Sequence, residues 1–327
     1  MSWIAYHGRS QGFIDRLGLT PIYVGDFITG RGIGVALFKY GPQFVSTLRG
    51  LYRVRPKVVF VMDPPVFAVT AVFLYCLHTR ARYLMDCHSG VFNSRKWRWS
   101  LPVQRFFGRR AAGVLVTNPA HLSVVSSWPA RGIVVGDPPP IPGPAGERSS
   151  ERAEPYVFVV ATFGEDEDIS KVLEAAGRLP GVRFLISGDT RRARPGWLVS
   201  RPSNVEFTGF LSTGDFWSHV RDASAVLTLT TREDTILRGG WEAMFMERPL
   251  ITSRTSALQR YFTRGTVFVD HTPDSIAAGV ADAMAHVGEL QREARLLREE
   301  KYATWREESE CLARLAGLPF GASEEPA

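Results

Sequence analysis

Residues 225–253 read AVLTLTTREDTILRGGWEAMFMERPLITS, and the fold turns on how this stretch is parsed. Val226–Leu229 is a short apolar run of the kind a buried parallel strand carries. A polar loop follows, then Gly239 and Gly240, then a short helical stretch from Trp241 to Glu247 with Glu242 in its first turn. Pro249 leads into a second apolar pair, Leu250 and Ile251. A strand that passes through a Gly-Gly turn into a helix presents bare backbone N–H groups at the positive end of a helix dipole, which suits a phosphate. Asp234 and Glu242 flank that turn, where carboxylates can accept hydrogen bonds from hydroxyl groups.

Working outward, the alternation of strand and helix repeats. Strands are predicted at 156–160, 183–187, 205–207 and 225–229, with helices beginning near Ile169, Gly214 and Gly240. Before them, residues 138–155 are proline-stiffened and then polar, the composition of a linker. The front half alternates in the same way, with strands at 21–24, 58–62, 82–86 and 114–117 and helices near 44–52, from Val66, and over 102–110. Strands separated by helices predict parallel sheets wound on both sides. The chain of 327 residues is long for one core. The expectation is therefore two Rossmann-like α/β domains, 1–137 and 156–300, facing each other across a cleft. An amphipathic helix over 301–316 is expected to pack back on the first domain, ahead of a disordered tail, 317–327. Ligands of such sheets sit outside the carboxyl ends of the strands, where Asp63, Asp86 and Asn118 fall.

Charge divides the two halves. Residues 1–150 hold 18 Lys/Arg against 6 Asp/Glu, and the remainder 21 against 27, so the front is about +12 and the back about −6. Three cysteines (Cys76, Cys87, Cys311) without metal-ligand spacing argue for a reducing compartment and against a disulfide framework or zinc site. No basic segment followed by an apolar core opens the chain, which removes a signal peptide from the reading. The apolar run 58–77 is interrupted by Asp63-Pro64-Pro65 and is read as strand, turn and core helix. Gly30–Gly34 lacks the spacing of a dinucleotide fingerprint and reads as a loop. Arg95-Lys96-Trp97-Arg98-Trp99, continued by Arg105, Arg109 and Arg110, mixes cations with indoles. That composition fits either a solvated face or peripheral contact with an anionic membrane on its cytoplasmic face. Its aromatics form no stacking or groove-reading module, so no nucleic-acid partner is expected.

The back half resembles the donor domain of GT-B glycosyltransferases, in particular the retaining family 4. Glu242-Ala243-Met244, Pro249-Leu250-Ile251 and Asn204-Val205-Glu206-Phe207-Thr208-Gly209-Phe210 carry the likeness. Where that family has Glu eight residues before its conserved-pattern Glu, this chain has Asp234, with Glu233 beside it. Where the family has Arg and Lys after its first donor-domain strand, this chain has Glu165-Asp166-Glu167-Asp168. In the front half, Asp63-Pro64-Pro65 and Leu84-Met85-Asp86-Cys87-His88 resemble segments of the mannosyltransferases that elongate dolichol-linked chitobiose and of bacterial exopolysaccharide transferases. Asp63 stands there in place of an Asn.

The resemblance implies a cytoplasmic enzyme that moves a sugar from a nucleotide-diphosphate donor to a saccharide or lipid-linked saccharide. Gly239, Gly240 and Arg238 are expected around the phosphates, with Arg232 and Arg9 as further cations and Glu242 on the ribose. Asp234 or Glu233 would hold the hexose, and Phe210 completes the donor set. Asp86 and His88, at i and i+2 of an extended segment, point to the same side, so one can orient the other for proton transfer at the acceptor. No cofactor or metal is expected: the Glu165–Asp168 run is the one candidate and reads as a solvated loop. A nucleotide-sugar epimerase and a non-catalytic scaffold with the same fold remain open alternatives.

Overall fold

The computed structural model describes residues 1–3, 7–25, 33–140 and 154–318. The Gly30–Gly32 part of the glycine run, most of the 138–155 linker and the tail beyond residue 318 lie outside the described residues. The chain divides into two compact units, Met1–Ile141 with Thr304–Ala327, and Pro142–Ala303.

The first unit runs α1 (Gly8–Leu17), α2 (Ile33–Val54), β1 (Val58–Asp63), α3 (Val66–Thr79), β2 (Arg82–Cys87), α4 (Ser89–Asn93), α5 (Leu101–Gly108), β3 (Gly113–Val116), α6 (Pro119–Ser126) and β4 (Gly132–Val134). Its four strands are parallel in the order β1-β2-β3-β4. The start of the chain extends this sheet. The Met1 ammonium donates to the Phe60 carbonyl (2.8 Å) and the Met62 N–H to the Met1 carbonyl (3.1 Å), the bonding pattern of a parallel neighbour. Ser2 in turn bridges Tyr23 in parallel. Strand order therefore reverses between the opening residues and β1, which places a topological switch point beside Asp63. Residues alternate along the strands between two cores. Val59, Val61 and Met85 pack with Leu51, Val69 and Val72 of α2 and α3 on one side. Leu84 and Leu115 pack with Phe13 of α1 and with Leu312, Leu315 and Ala316 on the other.

The second unit runs β5 (Tyr156–Val160), α7 (Ile169–Gly177), β6 (Arg183–Ser187), α8 (Pro195–Val199), β7 (Val205–Gly209), α9 (Thr213–Asp222), β8 (Ala225–Thr228), α10 (Arg238–Phe245), β9 (Leu250–Ser253), α11 (Ser256–Tyr261), β10 (Thr266–Val269) and α12 (Pro273–Ala285). α13 (Val287–Ala316) follows, and its residues from Thr304 on are part of the first unit. All six strands are parallel, in the order β10-β9-β8-β5-β6-β7. The chain starts at the centre, winds to one edge, returns and winds to the other, so the switch point lies between β5 and β8. Val157, Val159, Phe184 and Leu227 face a core shared with α7 and α12. Tyr156, Phe158, Leu185 and Val226 face one shared with α10 and α11. Among the described residues no helix is long and apolar enough to cross a membrane.

One local reading is corrected. Gly239 and Gly240 do not form a turn ahead of the helix; they lie inside the first turn of α10, and neither has a positive φ. What requires glycine is packing. A Cβ on Gly239 would come within 2.9 Å of Val160 Cγ1 and 3.4 Å of Thr228 Oγ1, and one on Gly240 within 3.0 Å of the Phe262 ring. Their bareness lets α10 sit directly on the carboxyl ends of β5 and β8. Gly239→Val is accordingly expected to destabilise the second unit by about 1–3 kcal/mol through overpacking. Hydrogen exchange should locate the loss in β5, β8 and α10; unchanged protection there would refute the packing account.

Candidate functional site

In the second unit, the loops after β5 and β8 meet at the switch point. Asp166 ties them together: its Oδ2 accepts from the Thr230 hydroxyl (2.7 Å), its Oδ1 pairs with Arg232 (2.8 Å), and its carbonyl accepts from the Thr231 N–H (2.9 Å). α10 opens beside them, with Leu237 as N-cap and no side-chain cap bond. Trp241 is the first residue to donate to a carbonyl of the helix, that of Leu237 (3.2 Å). The N–H groups of Arg238, Gly239 and Gly240 thus precede the first intrahelical bond, the position from which a helix holds an anion. Arg238 and Glu242 lie one turn apart on the same face, Nε to Oε1 3.0 Å, with the guanidinium also over the Trp241 ring.

The other expected donor residues are distributed as follows. Asp234 is half-buried in the β8–α10 loop. Glu233 turns to α11, where its carboxylate accepts from the Ser256 N–H (2.5 Å); that bond holds the group below the ordinary carboxylate range. Phe210 follows β7, two strands from β5, and is 86% exposed. At about 4.8 Å per strand, that offset is roughly 10 Å. Arg9 is not in this unit at all: it belongs to the first, where it is fully buried.

The acidic run is not a uniformly solvated loop. Glu167 folds back so that its carboxylate accepts from the Thr162 N–H (3.0 and 2.9 Å to its two oxygens), the Thr162 hydroxyl (2.6 Å) and the Gly164 N–H (3.1 Å). Phe163, between those amides, is left-handed (φ 56°), and this backbone curl forms a small anion nest. The β5–α7 loop therefore fills its own amide cradle, whereas α10 opens without a side-chain bond from its N-cap residue. Asp168 lies 2.7 Å from His271 Nδ1, and His271 Nε2 lies 2.9 Å from Ser253 Oγ and 3.1 Å from the Thr230 carbonyl. Ser253 is fully buried and accepts from the Thr230 N–H, so this Asp-His-Ser line braces the loop and offers no accessible nucleophile. Sequence reading missed both Glu167 and His271. Among the described residues, no group of three His, Cys, Asp or Glu side chains is placed to hold a metal ion.

The first unit carries a second cluster at its own switch point. Asp86, at the end of β2, accepts from Arg9 Nε (2.9 and 3.2 Å to its two oxygens), while Arg9 NH1 donates to Asp137 (2.8 Å) and the Gly136 carbonyl (2.9 Å). His88 Nε2 lies 3.1 Å from Asp86 Oδ2, and its ring stands edge-on to His7 at 4.6 Å. Burial alone would raise the Asp86 carboxyl, but the Arg9 guanidinium and the neighbouring His88 ring outweigh it and hold the group well below the usual carboxylate range. An ionised Asp86 fixes the orientation of the partly exposed His88 ring. Asp63, at the end of β1, is the opposite case: burial raises it to about 7, against a weak bond from the Cys87 thiol to Oδ2 and with the Asp86 charge adding to the rise. Its Oδ1 has no hydrogen-bond partner. Asn118 caps α6, accepting from the His121 N–H at 3.0 Å.

Comparison with known proteins gives the fold a relationship. No curated protein matches the sequence. A family described as glycosyl transferase-like matches residues 167–318. Among solved structures, sucrose-phosphate synthase from Thermosynechococcus elongatus superposes with a TM-score of 0.70 at 15% identity, covering 90% of this chain and 82% of that one. Anabaena Alr3699/HepE, solved with UDP and glucose, gives 0.66 at 12% identity and covers 94% and 90%. A mutant of S. aureus TarM, solved with fondaparinux, alpha-GlcNAc-glycerol and UDP, gives 0.62 at 14% identity; 84% of this chain aligns, spanning 59% of TarM. The chain has the GT-B fold, and its residues 167–318 match a family described as glycosyl transferase-like.

Proposed function

We propose that this protein is a glycosyltransferase that moves a sugar from a nucleotide-diphosphate donor to a hydroxyl of a saccharide or lipid-linked saccharide at the cytoplasmic face of a membrane. The observation that carries the reading is the glycine-bearing first turn of α10 at the β5/β8 switch point, inside the segment that matches the glycosyl transferase-like family. In this reading the amides of Gly239 and Gly240, with Arg238, receive the diphosphate. Glu242 accepts from the ribose, and Asp234 holds the hexose. The exposed Phe210 ring lies about 10 Å along the carboxyl edge, a distance a nucleoside spans, and stacks on the base. Preorganised amides that meet the charge developing on the departing diphosphate are the main catalytic contribution. His88, oriented by Asp86, accepts the proton of the acceptor hydroxyl through its other ring nitrogen.

Titration with UDP- and GDP-sugars tests the donor site. Wild type is expected to be stabilised against heat by at least one of them. Glu242→Ala is expected to weaken that binding by about 10- to 100-fold, the size of a lost hydrogen bond to a charged group. Binding that survives the substitution would remove Glu242 from the site. A panel that stabilises nothing would favour the scaffold alternative, and interconversion of the donor without acceptor would favour an epimerase.

A further inference from the structure

α3 is apolar on every side: VFAVTAVFLYCLHT holds one histidine and no charged group. A helix of that composition is ordinarily enclosed, yet only one side of α3 is. Val66, Val69, Val72 and Tyr75 are in the core, whereas Leu74 and Leu77 stand open, Leu77 at 70% exposure. α5 lies alongside and continues the open face. Trp99, 59% exposed, leads into it with its ring 6.2 Å from that of Phe67, and Phe106 sits 5.7 Å from Phe73 with Val103 exposed beside it. At 14 residues, about 21 Å, α3 is too short to span the roughly 30 Å of a bilayer core.

Charge indicates what covers this face. Arg95, Lys96, Arg98, Arg105, Arg109 and Arg110 surround it and are all exposed, and the Arg110 guanidinium lies 3.7 Å over the Phe106 ring. Between Asp63 and Asp137 the one acidic residue is Asp86, which is buried. We infer that the outer faces of α3 and α5, from Phe67 and Leu77 to Trp99 and Phe106, form a docking surface for an anionic lipid bilayer. The apolar side chains and the Trp99 indole settle at headgroup depth, and the surrounding cations pair with lipid phosphates. Charge of one sign around an uncharged apolar patch needs no matching pocket in its partner, which suits a fluid surface.

The test uses the full chain and vesicles of phosphatidylcholine, with or without phosphatidylglycerol. Wild type is expected to co-sediment with the anionic vesicles only and to be released by salt. The triple variant Arg98→Gln, Arg105→Gln, Arg109→Gln should bind on the order of 100-fold more weakly, about fivefold per cation. Trp99→Ala with Phe106→Ala should bind at least about tenfold more weakly when compared with wild type well below the melting temperature of both proteins, since Phe106 also packs on Phe73. Equal binding to the two vesicle types, or binding indifferent to both sets of substitutions, overturns the inference. So does a dimer in solution that the Trp99 and Phe106 substitutions dissociate, since a second copy would then own the face.

Discussion

Replacing Arg9 by methionine is expected to destabilise the first unit by about 3–5 kcal/mol, the range for removing one partner of a buried ion pair. Arg9 is 1% exposed, and its guanidinium joins two places remote from it in sequence: Asp86 at the end of β2, and the adjacent pair of the Gly136 carbonyl and Asp137. Methionine matches much of its length, so the loss is not chiefly a cavity. It is the ionised Asp86 left in a dry site with the His88 ring as its remaining polar side-chain neighbour. Arg9→Lys should recover little, because an ammonium cannot reproduce a planar fork that meets two carboxylates and a carbonyl. The double variant Arg9→Met, Asp86→Leu should be more stable than Arg9→Met alone, since it removes the stranded charge as well. Two domains need not unfold in one step, so hydrogen exchange is the suitable measurement. Protection should fall in peptides covering α1 and β2 and hold in β5 and β8. A uniform loss across both units, or a double variant no better than the single, would contradict this account.

That arrangement also shows where sequence reading reaches its limit. The alternation of apolar runs with helical segments made two parallel sheets legible, because buried strands and amphipathic helices differ in length and period. The glycines of α10 were legible as special, but not the reason. Gly239 and Gly240 could serve a turn or a close approach, and only Val160, Thr228 and Phe262, brought in by other strands and helices, show that it is the approach. Arg9 was read as a cation for the donor phosphates because its partners stand 77 and 128 positions away and leave no local pattern. His271 was passed over for the same reason, 103 positions from Asp168. Glu167 is the instructive case, since its partners are only three and five residues back. A run of four carboxylates looks solvated whether or not one of them turns inward, and that is decided by the left-handed Phe163, for which the residue type gives no hint.

Asp63→Asn is expected to remove a dependence on pH that the wild-type fold carries in its first unit. Burial raises the Asp63 carboxyl to about 7, against about 3.9 in an unfolded chain. Between those values the folded state keeps a proton that the unfolded state has released. The contribution of Asp63 to stability is therefore fullest below about pH 4, declines as pH rises toward 7 and stays low above it. The gap corresponds to a loss on the order of 4 kcal/mol across that window. Asparagine cannot ionise, so the variant escapes the decline. Wild type and Asp63→Asn should have similar denaturation midpoints in acid and separate as pH rises, the variant becoming the more stable. The expected chemistry is that Asp63 behaves as its neutral equivalent until its proton leaves, and then strands a charge beside Asp86, with Oδ1 still unpartnered. Midpoints that run parallel across the whole pH range would show that Asp63 is already ionised in the fold, paired with a group other than the Cys87 thiol.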